Sequence, residues 1–193
     1  ASYLAVIGSL LAMRLPPSTR KAVRQHVLTE LVDGFRYSVG FPPIRAVLLL
    51  LAFVSLAGMP YMVLMPAIAV QTFGGGPSTL GYLMSAVGAG ALCGAFYLAT
   101  RRSVMGLGRL IGVASCVFGA ALIAFALSST LWVSLLLLVF AGAGAMLQMA
   151  AGNTMVQTIV DDERRGRVMS FYAMAFFGSM PLGSLLAGSL SKS

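Results

Sequence analysis

Side chains able to do chemistry are few in this chain and sit close together. Six ionisable residues crowd into one stretch of seven: Asp161, Asp162, Glu163, Arg164, Arg165 and Arg167, with Gly166 before the last. Carboxylates and guanidiniums at that spacing can pair with one another, and the arginines can also reach carbonyl groups at neighbouring helix ends. A second cluster is purely basic: Arg101, Arg102 and Arg109. Three amides, Gln148, Asn153 and Gln157, place uncharged donors and acceptors in an otherwise apolar stretch. The only histidine, His26, lies in a basic loop without a partner for catalysis or metal binding. Cys93 and Cys116 stand apart inside apolar runs, where a thiol behaves as a small hydrophobe. No nucleophile stands beside a base and no set of metal ligands exists, so no catalytic residue, metal or cofactor is expected. An intramembrane enzyme would need such a constellation, which makes that class the weakest reading.

The surroundings of these residues explain the scarcity. Of 193 residues, 59% are hydrophobic and 9% charged, against roughly 25% charged in a soluble domain. That balance excludes a soluble enzyme and a disordered tail. A nucleic-acid-binding module is excluded as well, despite the net charge of +8, because the charge is confined to short connections. The acids and all basic residues but Lys192 fall within residues 14–45, 101–109 and 161–167. Between them run Ala46–Val70, Leu80–Thr100, Leu107–Leu127, Leu131 to about Gly152 (continuing toward Val160) and Val168–Leu190. Each is long enough to cross a hydrocarbon core of about 30 Å. The run Tyr3–Met13 reads as the end of a further span.

Basic residues occupy every second connection, while Gln71–Thr79 and Ser128–Thr130 carry no charge. The positive-inside rule therefore predicts that 14–45, 101–109 and 161–167 are cytoplasmic. Within the first of these, Leu28, Leu31, Val32, Phe35 and Val39 follow helical spacing between Pro16-Pro17 and Pro42-Pro43. This pattern predicts an amphipathic helix on the inner membrane surface, with membrane lipid as its partner.

Two patterns depart from inert spans. Gly58, Pro60 and Pro66 interrupt Ala46–Val70, and the backbone groups they free need partners within the protein or a water-filled cavity. The residues alone leave open a packed kink or a cavity-lining hinge. Ala86, Gly90 and Gly94 form a small-residue stripe that admits another helix closely, as a fixed contact or a sliding one. Helical spacing also groups Ser55, Met59, Met62 and Pro66 on one face, and Gly142, Met146, Met149, Asn153 and Gln157 on another. A third face carries Ala141, Gly144, Gln148 and Gly152. Flexible methionines suit either packing or promiscuous apolar binding. No ionisable residue lies deep within a span, so these residues supply no proton relay.

Asn153-Thr154, Gln157, Asp162-Glu163, Arg165-Gly166-Arg167-Val168-Met169-Ser170 and Pro181-Leu182-Gly183 together resemble major facilitator superfamily transporters. The resemblance is to the transmembrane secretion effector branch, which includes enterobactin exporters and macrolide-efflux-type permeases. Gly81–Ala86 with the glycine stripe, and the stretch Glu30–Leu50, are similar too. The resemblance implies an all-α integral membrane bundle: the C-terminal half of a twelve-helix fold, from the end of helix six (1–13) through a cytoplasmic linker (14–45) to helices seven to eleven (46–193). It also implies secondary-active efflux, by antiport in a bacterial inner membrane, of a drug, siderophore or other amphipathic metabolite. The partners would be that small molecule, lipid and an N-terminal half that would hold any coupling carboxylate; nucleic acid would not be one.

By the same resemblance, Ser55, Met59, Met62, Gln148, Met149 and Asn153 become substrate-cavity candidates. Arg101, Arg102, Arg109, Asp162, Arg165, Gly166 and Arg167 become latch candidates, with Gly166 expected to let neighbouring backbone approach. Gly58, Pro60 and Pro66 become the helix hinge. The chain departs from the family pattern in having Asp161 where a proline usually stands, and in lacking an acid in the loop 101–109. A polytopic scaffold without transport remains the rival class.

The charge alternation has a direct consequence. Cysteines introduced at Ser78 or Ser129 should react with a membrane-impermeant maleimide on intact cells, and one at Ser103 should not. Labelling at Ser103 would invert the orientation.

Overall fold

A computed structural model describes residues 27–58, 60–101 and 103–190, and every regular element among them is helical. Tyr3–Met13, His26, Met59, Arg102 and Lys192 lie outside the described residues. In chain order the elements are α1 (Val27–Gly40), α2 (Pro42–Phe53), a π-helical segment (Val54–Gly58), α3 (Tyr61–Gln71), α4 (Pro77–Thr100), α5 (Leu107–Leu127), α6 (Leu131–Ile159) and α7 (Asp162–Leu190). Five stretches are long and apolar enough to cross a membrane: Pro42–Gln71, Pro77–Thr100, Leu107–Leu127, Leu131–Ile159 and Asp162–Leu185. The chain is an all-α membrane bundle.

Prolines and glycines set most boundaries. Phe41 is extended (φ −100°, ψ 105°) because the following proline disfavours the helical region, and α2 starts at Pro42, where a missing N–H costs nothing. This span therefore begins four residues before the expected Ala46. Gly74, at φ 58°, turns the chain between α3 and α4 in a conformation that suits glycine. The charged turn expected at 161–167 is shorter in the fold. Only Val160 and Asp161 connect α6 to α7, and Asp162 through Arg167 already belong to α7. The Asp161 carbonyl accepts the amides of Arg164 and Arg165, both at 2.9 Å. Asp162 and Glu163 thus lie in the first turn, where the helix dipole favours negative charge.

Helix α6 is the spine, with α4 and α5 packed along it. The contacts are backbone to backbone. A Cβ on Gly90 would strike the Val139 carbonyl, one on Gly142 the Val87 carbonyl, and one on Gly94 would stand 2.9 Å from the Ala143 oxygen. On the other side, a Cβ on Gly144 would meet the Ala114 oxygen at 2.8 Å. In this structure the Ala86–Gly90–Gly94 stripe is a tightly packed interface. Lipid tails give apolar helices little reason to associate, so close van der Waals contact of this kind carries the bundle.

The second wall pairs the α2–α3 span with α7, and α1 folds back onto the start of α7. The face of α1 turned to the protein holds Gly34 and Ser38, whereas Phe35 and Val39, from the expected apolar stripe, are exposed. They join an outer surface of Leu49, Phe53, Leu92, Phe96, Trp132, Leu136 and Phe177, which is the surface lipid would cover.

Substitution tests the spine. Gly142→Leu should lower the thermal stability of the purified protein, since overpacking costs about 1–3 kcal/mol. Gly112→Ala, where a Cβ meets nothing within 4 Å, should leave the melting curve unchanged.

Candidate functional site

The first site is the break in the first span. Pro60 has no N–H, so the Leu56 carbonyl four residues earlier loses the donor a continuous helix would give it. The chain widens into the π-helical segment Val54–Gly58, a form that often marks functional positions. Two neighbours serve this segment. From α7, Gly183 faces the Leu56 oxygen so closely that a Cβ there would overlap it, and the Phe176 carbonyl accepts the Ser55 hydroxyl at 2.6 Å. From α5, the Phe118 ring fills the notch left by Gly58 and meets Tyr61 edge-on at 6.3 Å. An apolar groove of about 490 Å³ lies alongside, between Phe53, Ala57 and Gly58 on one wall and Gly112, Cys116 and Gly119 on the other. Pro66 does not make a second interruption: α3 runs through it. It is the sixth of the eleven residues of α3, and its missing N–H leaves the Met62 carbonyl without a helical donor.

The second site is the start of α7. Arg165 Nη2 pairs with Asp162 Oδ1 at 2.6 Å on the surface, while Arg165 Nε is buried without an acceptor. The Arg164 guanidinium lies 4.8 Å over the Tyr37 ring of α1. The close approach expected at Gly166 occurs elsewhere. Gly166 is exposed and a Cβ there meets nothing within 4 Å; Gly34 of α1 is the notch, 3.2 Å from Arg167 Cβ and 2.9 Å from the Phe171 ring by the same measure. The reason is orientation: Gly166 is on the solvent side of α7, and α1 docks on the opposite face.

The remaining candidates are dispersed. Ser55 is buried and committed to α7, and Met62 is half-buried beside the cluster of Met65, Leu83 and Leu138. Gln148 is buried on α6 at 2% exposure. Met149 is half-buried and its carbonyl accepts the Tyr172 hydroxyl of α7 at 2.7 Å. Asn153 Oδ1 accepts from Gln157 Nε2 one turn on. Arg101 bonds to carbonyls of its own loop, and Arg109 is exposed on α5. Tyr172, Phe176 and Gly183, which brace the other elements, were not singled out by residue chemistry. Their signal is spacing, since all three fall on one helical stripe of α7.

Comparison with known families decides what such a bundle is. A family model described as transmembrane secretion effector, of the major facilitator type, matches residues 1–193. The chain belongs to this family. Membership makes it a multi-pass membrane protein and points to a transport function. No curated protein and no solved structure matches it.

Ser55→Ala should lower the melting temperature, since a hydrogen bond between membrane helices is worth about 0.6 kcal/mol on average and up to about 1.7. Ser115→Ala, which loses only a bond to Ile111 of its own helix, should melt like the parent.

Proposed function

We propose that the chain is the C-terminal half of a secondary-active exporter of small amphipathic molecules, working by alternating access against an N-terminal half. The observation that carries this reading is the break at Val54–Pro60. A span interrupted mid-membrane yet braced by side chains and glycine notches suits a hinge, and discontinuous helices accompany substrate sites in transporters. The setting would be a bacterial inner membrane with 14–45, 101–109 and 161–167 on the cytoplasmic side.

The substrate cavity in this reading lies against Met62, Met149 and Asn153, with Gln148 pinning α6 to its neighbours. Helix α6 has 29 residues, about 43 Å at 1.5 Å per residue, so it outruns a core of about 30 Å. Asn153 and Gln157 therefore stand at the inner mouth of the cavity, and Met149 deeper. The latch is the α7 start. The surface pair Asp162–Arg165 alone is worth about 0–1 kcal/mol, but a buried donor without an acceptor costs about 1–3 kcal/mol. Arg165 Nε, which has no acceptor in this conformation, is the group that in this reading gains a partner in a second one. A difference of that size changes a two-state ratio about tenfold.

Transport assays on the full-length protein test both parts. Arg165→Gln should slow efflux about tenfold with insertion intact, and Asn153→Ala should change the range of amphipathic substrates. A membrane anchor or scaffold predicts parental behaviour from both variants, and that result would overturn the proposal.

A further inference from the structure

The connection between α4 and α5 holds a cation in an unusual setting. Arg101 Nε donates to the Ser103 carbonyl at 3.2 Å, and Nη2 to the Met105 carbonyl at 2.6 Å. The Met105 amide in turn donates to Ser103 Oγ at 3.1 Å, and the Arg101 amide to the Leu98 carbonyl at 3.1 Å. Gly106 closes the knot at φ 77°, and a Cβ there would press on Arg101 Nη2 at 3.3 Å. The guanidinium is thus held in place by backbone oxygens alone. Carbonyls orient a guanidinium without cancelling its charge; the loop itself holds no Asp or Glu, and the ion pair found among the described residues is Asp162–Arg165. Arg109 adds a second exposed cation on the first turns of α5.

The same loop exposes apolar side chains. Val104 is 52% and Met105 82% exposed, directly beside the fixed cation. Exposed methionine and valine next to an unneutralised guanidinium are poorly suited to bulk water and well suited to the boundary between headgroups and acyl chains. A groove of about 150 Å³, lined by Leu98, Arg101, Ser103, Val104, Leu107 and Thr154, opens there. It is well below the roughly 300–1,000 Å³ of a drug-sized site, yet roomy enough for a phosphate group. Two of the guanidinium N–H groups are used within the loop, and the rest of its planar fork matches phosphate oxygens.

We infer that the α4–α5 loop is a binding site for one anionic phospholipid, whose phosphate is held by Arg101 and whose acyl chains run past Val104 and Met105. Charge complementarity selects this occupant. The fixed cation has no carboxylate within the loop, and the apolar neighbours select a molecule with a hydrocarbon end over a soluble anion. The site is separate from the cavity and the α7 latch, and it stands whether or not the chain exports anything.

Native mass spectrometry of the full chain, released from nanodiscs of defined composition, tests this. With phosphatidylglycerol the parent protein should retain one lipid adduct that phosphatidylcholine does not replace at equal concentration. Arg101→Gln should weaken that adduct about tenfold, since a charge-assisted contact with an ion is lost, and Arg101→Lys should fall between the two. Arg164→Gln removes the same charge from another part of the same side and should leave the adduct intact. Equal losses in Arg101→Gln and Arg164→Gln would mean diffuse attraction to the bilayer and would overturn the site. Displacement of the lipid by millimolar inorganic phosphate would overturn it too, in favour of a free-anion site. A melting curve of each variant in detergent shows that the protein compared is folded.

Discussion

A carbonyl oxygen inside a bilayer must find a donor or a close polarisable neighbour, because no water will serve it. Pro60 creates that demand at Leu56, and α7 approaches that oxygen closely through Gly183. Gly183 must be a glycine for α7 to approach the Leu56 oxygen, and Phe176 must lie two turns earlier on the same face to receive Ser55. Those requirements fix the rotation and depth of α7. Its N-terminal end then presents Phe171 and Arg164 to α1, so the place of α1 follows from a proline in the first span. Each step is a short-range contact, and together they run from the membrane interior to the surface.

The other wall follows a different rule. Where α4 and α5 meet α6, glycines bring whole backbones together and leave no side chain that could swing aside. Contacts of that kind resist sliding, since a shift of one residue would bring a Cβ against a carbonyl. The bundle therefore joins a rigid three-helix block to a pair in which one member is broken. The proposed motion would fall at Val54–Pro60 and at the α6–α7 corner, where the hydrogen bonds can be remade without a steric collision.

Much of this was legible from composition and spacing. The five spans, the uncharged turns and the helix Val27–Gly40 all follow from apolar length, spacing and charge placement. The break at Gly58–Pro60 follows from local backbone chemistry. What spacing does not carry is which face meets which. The apolar stripe of α1 suggested a face for lipid, and Phe35 and Val39 are indeed exposed, but nothing in the spacing announced that Gly34 would be the notch against Arg167 and Phe171 of α7. Gly166 and Gly34 are indistinguishable in sequence until the rotation of α7 is known. Ser55 shares a helical face with Met62, but the π-helical widening between them turns Ser55 toward α7, a rotation that no regular wheel contains.

The arginines show why a charge rule describes topology better than mechanism. Arg101, Arg164 and Arg165 all sit on the side that the positive-inside rule makes cytoplasmic, and any of them would satisfy that rule. Their surroundings differ in kind. Arg101 is bound by its own backbone and keeps its charge outward; Arg164 lies over an aromatic face, where partial desolvation strengthens the attraction. Arg165 pairs with Asp162 on a side chain 43% exposed, while its Nε atom alone is shielded and has no acceptor. Only the last arrangement is energetically incomplete. A group that is incomplete in one conformation gives another conformation something to gain, and that asymmetry makes Arg165 the arginine suited to a switch. Arg101, complete within its loop but not neutralised, is suited instead to holding a ligand of opposite charge.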